Sequence, residues 1–197
     1  INIDNKSIPS SGAIYANAHA LARYAALCQE SGLVPIVEPE VLMDGKHSID
    51  RCFDVSKEVL GITFEQLNLQ NVNLKGIVLK PNMIVDGIGN DKQSSPEVVA
   101  SKTLKCLLSS VPKEVPGIAF LSGGQSSDLA TQHLNLMNEN SDNYPWNLTF
   151  SYGRALQNDA LHGWAGKNRQ LAQTLFIDRA QSNSHATRGI FKMKVVN

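Results

Sequence analysis

Lys80 is the residue with the clearest chemical potential in this sequence. It closes the run Gly76-Ile77-Val78-Leu79-Lys80 and is followed at once by Pro81 and Asn82. The stretch from Asn73 to Met83 predicts a short buried strand. Strand side chains alternate between faces, so Ile77 and Leu79 share one side and Gly76, Val78 and Lys80 the other. Pro81 has no N–H to give a ladder, so regular pairing is expected to stop there. An ammonium held among apolar groups gives up its proton more readily. The neutral amine can then attack a carbonyl and form a Schiff base. The ordinary alternative is a lysine that reaches water from a strand end, as Lys75 is expected to do at the polar start of the same strand.

Other groups stand at comparable places. Leu33-Val34-Pro35-Ile36-Val37-Glu38-Pro39-Glu40 reads as a short buried strand ending in acids. Glu38 and Glu40, two apart on one strand face, can be driven apart in pKa, one charged and one acting as acid. Glu38 is expected nearer the interior, with Glu40 in support; both could instead only neutralise nearby lysines. Ser122-Gly123-Gly124 offers unobstructed backbone N–H groups just before a helix start, an arrangement suited to an anion. Gly153-Arg154 adds close backbone approach and a guanidinium that can grip a phosphate with two hydrogen bonds. One at a time, a flexible turn and a surface salt bridge explain these two motifs better; together, on successive strands, they point toward phosphate. His47, His133 and His185 fall in turn, helix and tail with no metal-ligand spacing, and are read as structural or exposed.

The elements that must position these groups alternate along the chain. A helix capped at Ser10 or Ser11 carries Ile14, Ala18, Leu21, Ala25 and Cys28 at helical spacing and stops at Gly32. After the Glu38 strand, Asp44-Gly45 turns into a helix over residues 48–67. The Lys80 strand and a glycine-rich loop follow, then a helix opened by Ser95-Pro96-Glu97. Gly117 to Leu121 is the third strand, and Ser126 or Ser127 caps the next helix. Pro145 to Ser151 is the fourth strand, and a long helical tail has turn-like sequence near Gly163 and Gly166. Such alternation predicts right-handed βαβ units and a parallel sheet. Glu38, Lys80, Ser122 and Arg154 each close a strand at its C-terminal end, where parallel α/β folds place active sites.

Bulk properties bound the rest. The 197 residues suit one domain, and 18 basic residues balance 18 acidic ones, so no nucleic-acid or anionic-membrane footprint is expected. No apolar run is long enough to span a bilayer, and no signal-peptide pattern opens the chain. Cys28, Cys52 and Cys106 are odd in number and sit in apolar helical patterns, which predicts reduced core thiols in a reducing compartment and not disulfides or zinc. Two glycosylation acceptor patterns, Asn5-Lys6-Ser7 and Asn147-Leu148-Thr149, are expected to be chance matches. The first residue is Ile1, not Met, as expected of a chain with further sequence upstream.

Taken together, these motifs resemble the class I fructose-bisphosphate aldolases. The matching stretches are LVPIVEPE (33–40), VLKPNM (78–83), FLSGGQS (120–126) and PWNLTFSYGRAL (145–156), with ALARYAALC (20–28) and WAGK (164–167) in support. The resemblance implies a TIM (β/α)8 barrel, here only its second half, strands 5 to 8, within a single domain. It implies an aldehyde-lyase of glycolysis and gluconeogenesis that reversibly splits fructose 1,6-bisphosphate into dihydroxyacetone phosphate and glyceraldehyde 3-phosphate. Lys80 would form the imine, and Glu38 would act as acid and base when it forms and hydrolyses. Ser122, Gly123, Gly124, Ser151, Gly153 and Arg154 would hold substrate and phosphate. No metal or other cofactor is implied.

A cytoplasmic homotetramer and cytoskeletal binding are further family expectations. The family's first-half aspartate and two lysines would fall before Ile1, and no tyrosine ends the tail Lys192 to Asn197. Half a barrel would leave two sheet edges bare, so the functional unit is expected to include an N-terminal half, on the same polypeptide or on a partner. The alternative is a catalytically inactive aldolase-like chain acting as a binding or scaffolding partner. A transaldolase-like Schiff-base lyase fits the paired phosphate motifs less well.

Overall fold

The computed structural model describes residues 1–4, 6–139 and 144–192; Asn5 of the first acceptor pattern and tail residues 193–197 lie outside them. The first helix, α1 (Ser11–Glu30), starts where expected, with the Ser10 hydroxyl accepting from the Ala13 N–H at 3.2 Å. Its end uses the left-handed backbone that glycine tolerates. Gly32 has φ +74°, and the Leu33 N–H returns to the Cys28 carbonyl at 2.8 Å.

The remaining elements alternate: β1 (Ile36–Val37), α2 (Ile49–Leu69), β2 (Val78–Leu79), α3 (Pro96–Ser110), β3 (Gly117–Phe120), α4 (Ser127–Asn138), β4 (Asn147–Phe150), α5 (Arg154–Trp164) and α6 (Arg169–Ala186). Ser48 and Ser126 cap α2 and α4 through their hydroxyls. Ser95 precedes α3 in extended backbone but makes no such bond. Its hydroxyl is turned to the Glu97 carboxylate, which that bond holds below the usual glutamate range.

The four strands are parallel and lie in chain order. Ile36 stands opposite Val78, Leu79 opposite Ile118, and Phe120 opposite Phe150. Parallel strands in sequence order, each crossing over through helix, trace half of a (β/α)8 barrel. The expected alternation on the Lys80 strand holds: Ile77 and Leu79 are fully buried, whereas Val78 is half-buried. The buried face meets the helices in one core that includes Val37, Phe64, Leu67, Ile118, Phe120 and Leu134.

Several expectations are corrected. The Glu38 strand is not buried from Leu33 onward. Leu33, Val34 and Ile36 are 62%, 65% and 48% exposed, because β1 is an edge strand whose inner side nothing covers. Its ladder is also short, since Pro35 and Pro39 bracket it and neither can donate. The start of the Lys80 strand, Leu74–Gly76, is a single 3-10 turn set by Asn73, whose side chain accepts from the Lys75 N–H at 3.1 Å. Gly163 is no turn; it lies inside α5, where a Cβ would come within 2.4 Å of Leu175 Cδ1. Leu171 and Leu175 of α6 pack over it, and Ala165 and Gly166 make the turn, with φ +43° and +74°.

The asymmetry between the two sheet faces is measurable. Leu79→Ala should lower unfolding free energy by about 2–5 kcal/mol, whereas Val34→Ala should change it by roughly 0.5 kcal/mol or less. Urea denaturation of the 197-residue chain, whose β1 edge is open, checks both.

Candidate active site

All four strand exits open on one end of the sheet, because the strands are parallel. β1 delivers Glu38, β2 delivers Lys80, β3 delivers Ser122, and β4 delivers Ser151 and Arg154. Lys80 and Glu38, 42 positions apart in the chain, meet across the β1–β2 exit. Lys80 Nζ lies 3.0 Å from Glu38 Oε1, with side-chain exposures of 20% and 41%. The lysine is thus not enclosed by apolar groups as its strand suggested. A carboxylate faces it instead, at a distance that permits direct proton transfer.

The second carboxylate is placed differently from expectation. The Glu40 N–H donates to the Glu38 carbonyl at 3.1 Å, a three-residue turn about Pro39. The chain is therefore not extended there, and the two-residue spacing does not put both acids on one strand face. Glu38 and Glu40 instead border the same small cavity of about 130 Å³, with Ile14 and Thr63 on its walls. Lys80 pairs with Glu38, and Glu40 borders the cavity beside them.

Short tethers hold this exit. The Lys80 N–H donates to the Val37 carbonyl at 2.7 Å. The buried Asn82 side chain accepts from the Val41 N–H at 2.9 Å and donates to Ser56 Oγ at 3.1 Å. Sequence reading used Asn82 only as a strand terminator. Its place two residues after Lys80 was the available signal.

At the β3 exit, Gly123 and Gly124 both have positive φ, +57° and +83°, which turns the backbone sharply into α4. A Cβ on Gly124 would stand 3.8 Å from Arg154 Nη2, so the guanidinium lies against this turn. The loops after β3 and β4 thus bring together two glycines, the first turn of α4 and a cation. Helix N-termini present unpaired N–H groups and positive potential. Ser122 is buried and Ser151 half-buried beside them, the Ser151 N–H donating to the Phe120 carbonyl at 2.8 Å. Gly153 is the residue before α5 and exposed, leaving room at that helix start.

A buried histidine braces the β3 loop. His133 Nδ1 lies 2.6 Å from Gln125 Oε1, and Gln125 Nε2 donates to the Ser122 carbonyl at 2.9 Å. That carbonyl can only accept, so the amide orientation follows, and with it a proton on His133 Nδ1. Burial pushes the His133 pKa down to about 4, against a smaller opposing pull from Glu97. Sequence reading left His133 as structural or exposed; it is structural. His47 is buried as well, and burial also lowers its pKa. His185 is exposed. Burial likewise raises the Cys52 and Cys106 thiols, Cys106 to about 12, so both are weak nucleophiles. Among the described residues, no group of three His, Cys, Asp or Glu side chains is arranged to hold a metal ion.

With fold and site described, comparison with known proteins places the chain. The sequence profile of fructose-bisphosphate aldolase class-I matches residues 1–197. The chain is 50% identical over 186 residues to the cytoplasmic isozyme of fructose-bisphosphate aldolase from Spinacia oleracea, covering 93% of this chain and 52% of the relative. It is 52% identical over 187 residues to fructose-bisphosphate aldolase B of Gallus gallus, covering 94% and 51%. A solved Plasmodium falciparum fructose-bisphosphate aldolase, in complex with TRAP and a small-molecule inhibitor, superposes with a TM-score of 0.93 at 43% identity, covering 98% of this chain and 56% of that one. The chain belongs to the class I fructose-bisphosphate aldolase family. It spans about half the length of the curated relatives it matches, their C-terminal half. That family is the imine-forming, metal-independent kind of aldolase.

The His133 brace has a pH signature. In the unfolded chain the histidine titrates near its ordinary 6.5, and in the fold near 4. The unfolded state therefore binds more protons between these values, so stability is full above the upper value and falls as pH drops toward the lower. Urea midpoints of the protein should decline over that window, and His133→Gln should flatten that part of the curve.

Proposed function

We propose that the protein containing this chain is a Schiff-base aldolase, cleaving fructose 1,6-bisphosphate reversibly into dihydroxyacetone phosphate and glyceraldehyde 3-phosphate. The observation that carries the reading is the 3.0 Å approach of Glu38 to Lys80 at the shared strand mouth. Membership of the family and the naming of its relatives support it.

In this reading the Lys80 amine attacks the ketone carbon of the open-chain sugar. Glu38 takes the proton released as the amine adds and returns one to the carbinolamine hydroxyl, which leaves as water. The resulting iminium draws the electron pair of the breaking C3–C4 bond, giving an enamine as the C4 hydroxyl proton departs and the aldehyde leaves. Protonation of the enamine at C3 and hydrolysis of the imine return Lys80 and the second product. The sink for electrons is the imine itself, so no metal ion or cofactor is required. Gly123 and Gly124, the first turn of α4, and Arg154 would hold one phosphate, with Ser122, Ser151 and Gly153 lining the approach.

The reading requires the other half of the barrel. The chain is then strands five to eight of one domain, and its uncovered surface fits that place. Leu33, Val34 and Ile36 are exposed at the β1 edge; at the opposite end, so are Leu161 and Trp164 of α5 and Phe176 and Ile177 of α6. The N-terminal half is the occupant this surface suits, and it would supply the remaining active-site groups. The relatives named cytoplasmic or cytosolic support a cytoplasmic setting. Tetramer formation and cytoskeletal binding follow from the family alone. The scaffold alternative draws on the same bare edges, and catalysis by the complete protein separates the two.

Steady-state cleavage of fructose 1,6-bisphosphate by the full-length protein tests the proposal. Lys80→Met should reduce turnover to background. Arg154→Ala should raise KM roughly 10- to 100-fold, the worth of a charge-assisted hydrogen bond of about 1.5–3 kcal/mol. Undiminished turnover in Lys80→Met would refute the reading.

A further inference from the structure

We infer that Asn82 is a positioning residue for the reaction: its side-chain amide sets the place of Glu38 opposite Lys80. The inference rests on the Schiff-base reading above and deepens it.

Little regular structure holds the pair. β1 and β2 are two residues each, and Glu38 follows β1 immediately in the three-residue turn about Pro39. Such a turn has few bonds of its own to fix a carboxylate. Here the chain is tied to the Lys80 strand on both sides of Glu38. Before it, the Val37 carbonyl accepts the Lys80 N–H at 2.7 Å. After it, the Val41 N–H donates to Asn82 Oδ1 at 2.9 Å. Three residues, Glu38 to Glu40, are thereby pinned at both ends against Lys80-Pro81-Asn82.

The amide is itself held rigid. Asn82 is buried, and its Nδ2 donates to Ser56 Oγ at 3.1 Å and to the Met83 carbonyl at 3.1 Å. Ser56 is buried on α2, so the tether is anchored to the helical layer and not to another loop. Pro81 has its φ locked, so Lys80 and Asn82 keep a fixed relation. Donor and acceptor are both used, which no apolar or singly functional side chain of this size could reproduce. Without the amide, the Val41 N–H loses its partner in a buried place, and the turn carrying Glu38 is released at one end. The consequence falls on proton transfer at the imine, which is sensitive to distance, more than on binding of the phosphates at the β3 and β4 exits.

The test measures how fast the full-length protein forms a borohydride-trappable adduct with dihydroxyacetone phosphate, across pH, in a double-mutant cycle with Glu38→Gln. In the Glu38 background, Asn82→Ala should slow adduct formation roughly tenfold and alter its pH profile, while KM for cleavage stays within about twofold. In the Glu38→Gln background the same substitution should slow it no further, since the group it positions is already gone. Equal slowing in both backgrounds would show a merely structural role and overturn the inference, as would no slowing in either. Should Asn82→Ala fail to fold, Ser56→Ala reads the same anchor. It should give a smaller slowing that also vanishes in Glu38→Gln, and persistence there would again overturn the inference. Absence of any adduct in the unsubstituted protein overturns the Schiff-base reading itself, so the two failures are distinguishable.

Discussion

The proposed reaction depends on a lysine and a glutamate held 3.0 Å apart at the exits of neighbouring parallel strands. As an ion pair this contact is a poor source of stability. Glu38 is 41% exposed, and pairs in such surroundings contribute only about 0–1 kcal/mol. What fixes it is everything beneath it. Ile77, Leu79 and Val37 are buried against the helices, and that burial, worth about 1.5–3 kcal/mol per side chain, orients the opposite face of each strand toward the mouth. The pair thus sits on the face that contributes least to the core, and the core determines where it points.

The same division explains the two loops proposed to hold phosphate. Neither Gly123-Gly124 nor Gly153-Arg154 packs a large side chain of its own. The first is braced from below by Gln125 and a neutral, buried His133. The second follows β4; Leu148 of that strand and Tyr152 just beyond it are buried, and the Tyr152 hydroxyl ties the loop to α4 by donating to the Ala130 carbonyl at 2.9 Å. A mobile-looking sequence, Ser122 to Ser126, is therefore a fixed turn, and the Arg154 guanidinium lies against it. The open β1 edge, with Leu33, Val34 and Ile36 exposed, gives the chain a surface that a lone globular unit would cover.

Much of this was legible in the sequence, for identifiable reasons. Helix starts were clear because Ser10, Ser48 and Ser126 are caps whose chemistry is local. The order of strands and helices was clear because the apolar period switches between two and 3.6. Lys80 and Glu38 could be named because each ends an apolar run. What the sequence could not show is what lies across space. Strand lengths were overestimated because apolar content marks burial, whereas a ladder also needs donors, and Pro35 and Pro39 have none. Glu40 was aligned with Glu38 on a strand that in fact turns at Pro39. Gly163 looked like a turn because nothing local reveals that Leu175 packs onto it from the next helix. The tethers of Asn82 and Gln125 join residues brought together by the fold, and no spacing rule announces them.

The most direct measurement is the site of covalent capture. The full-length protein would be incubated with dihydroxyacetone phosphate, reduced with borohydride, digested and mapped by mass spectrometry. The account requires a single reduced adduct on the peptide bearing Lys80. An adduct on Lys75 or any other lysine, with Lys80 unmodified, would contradict it.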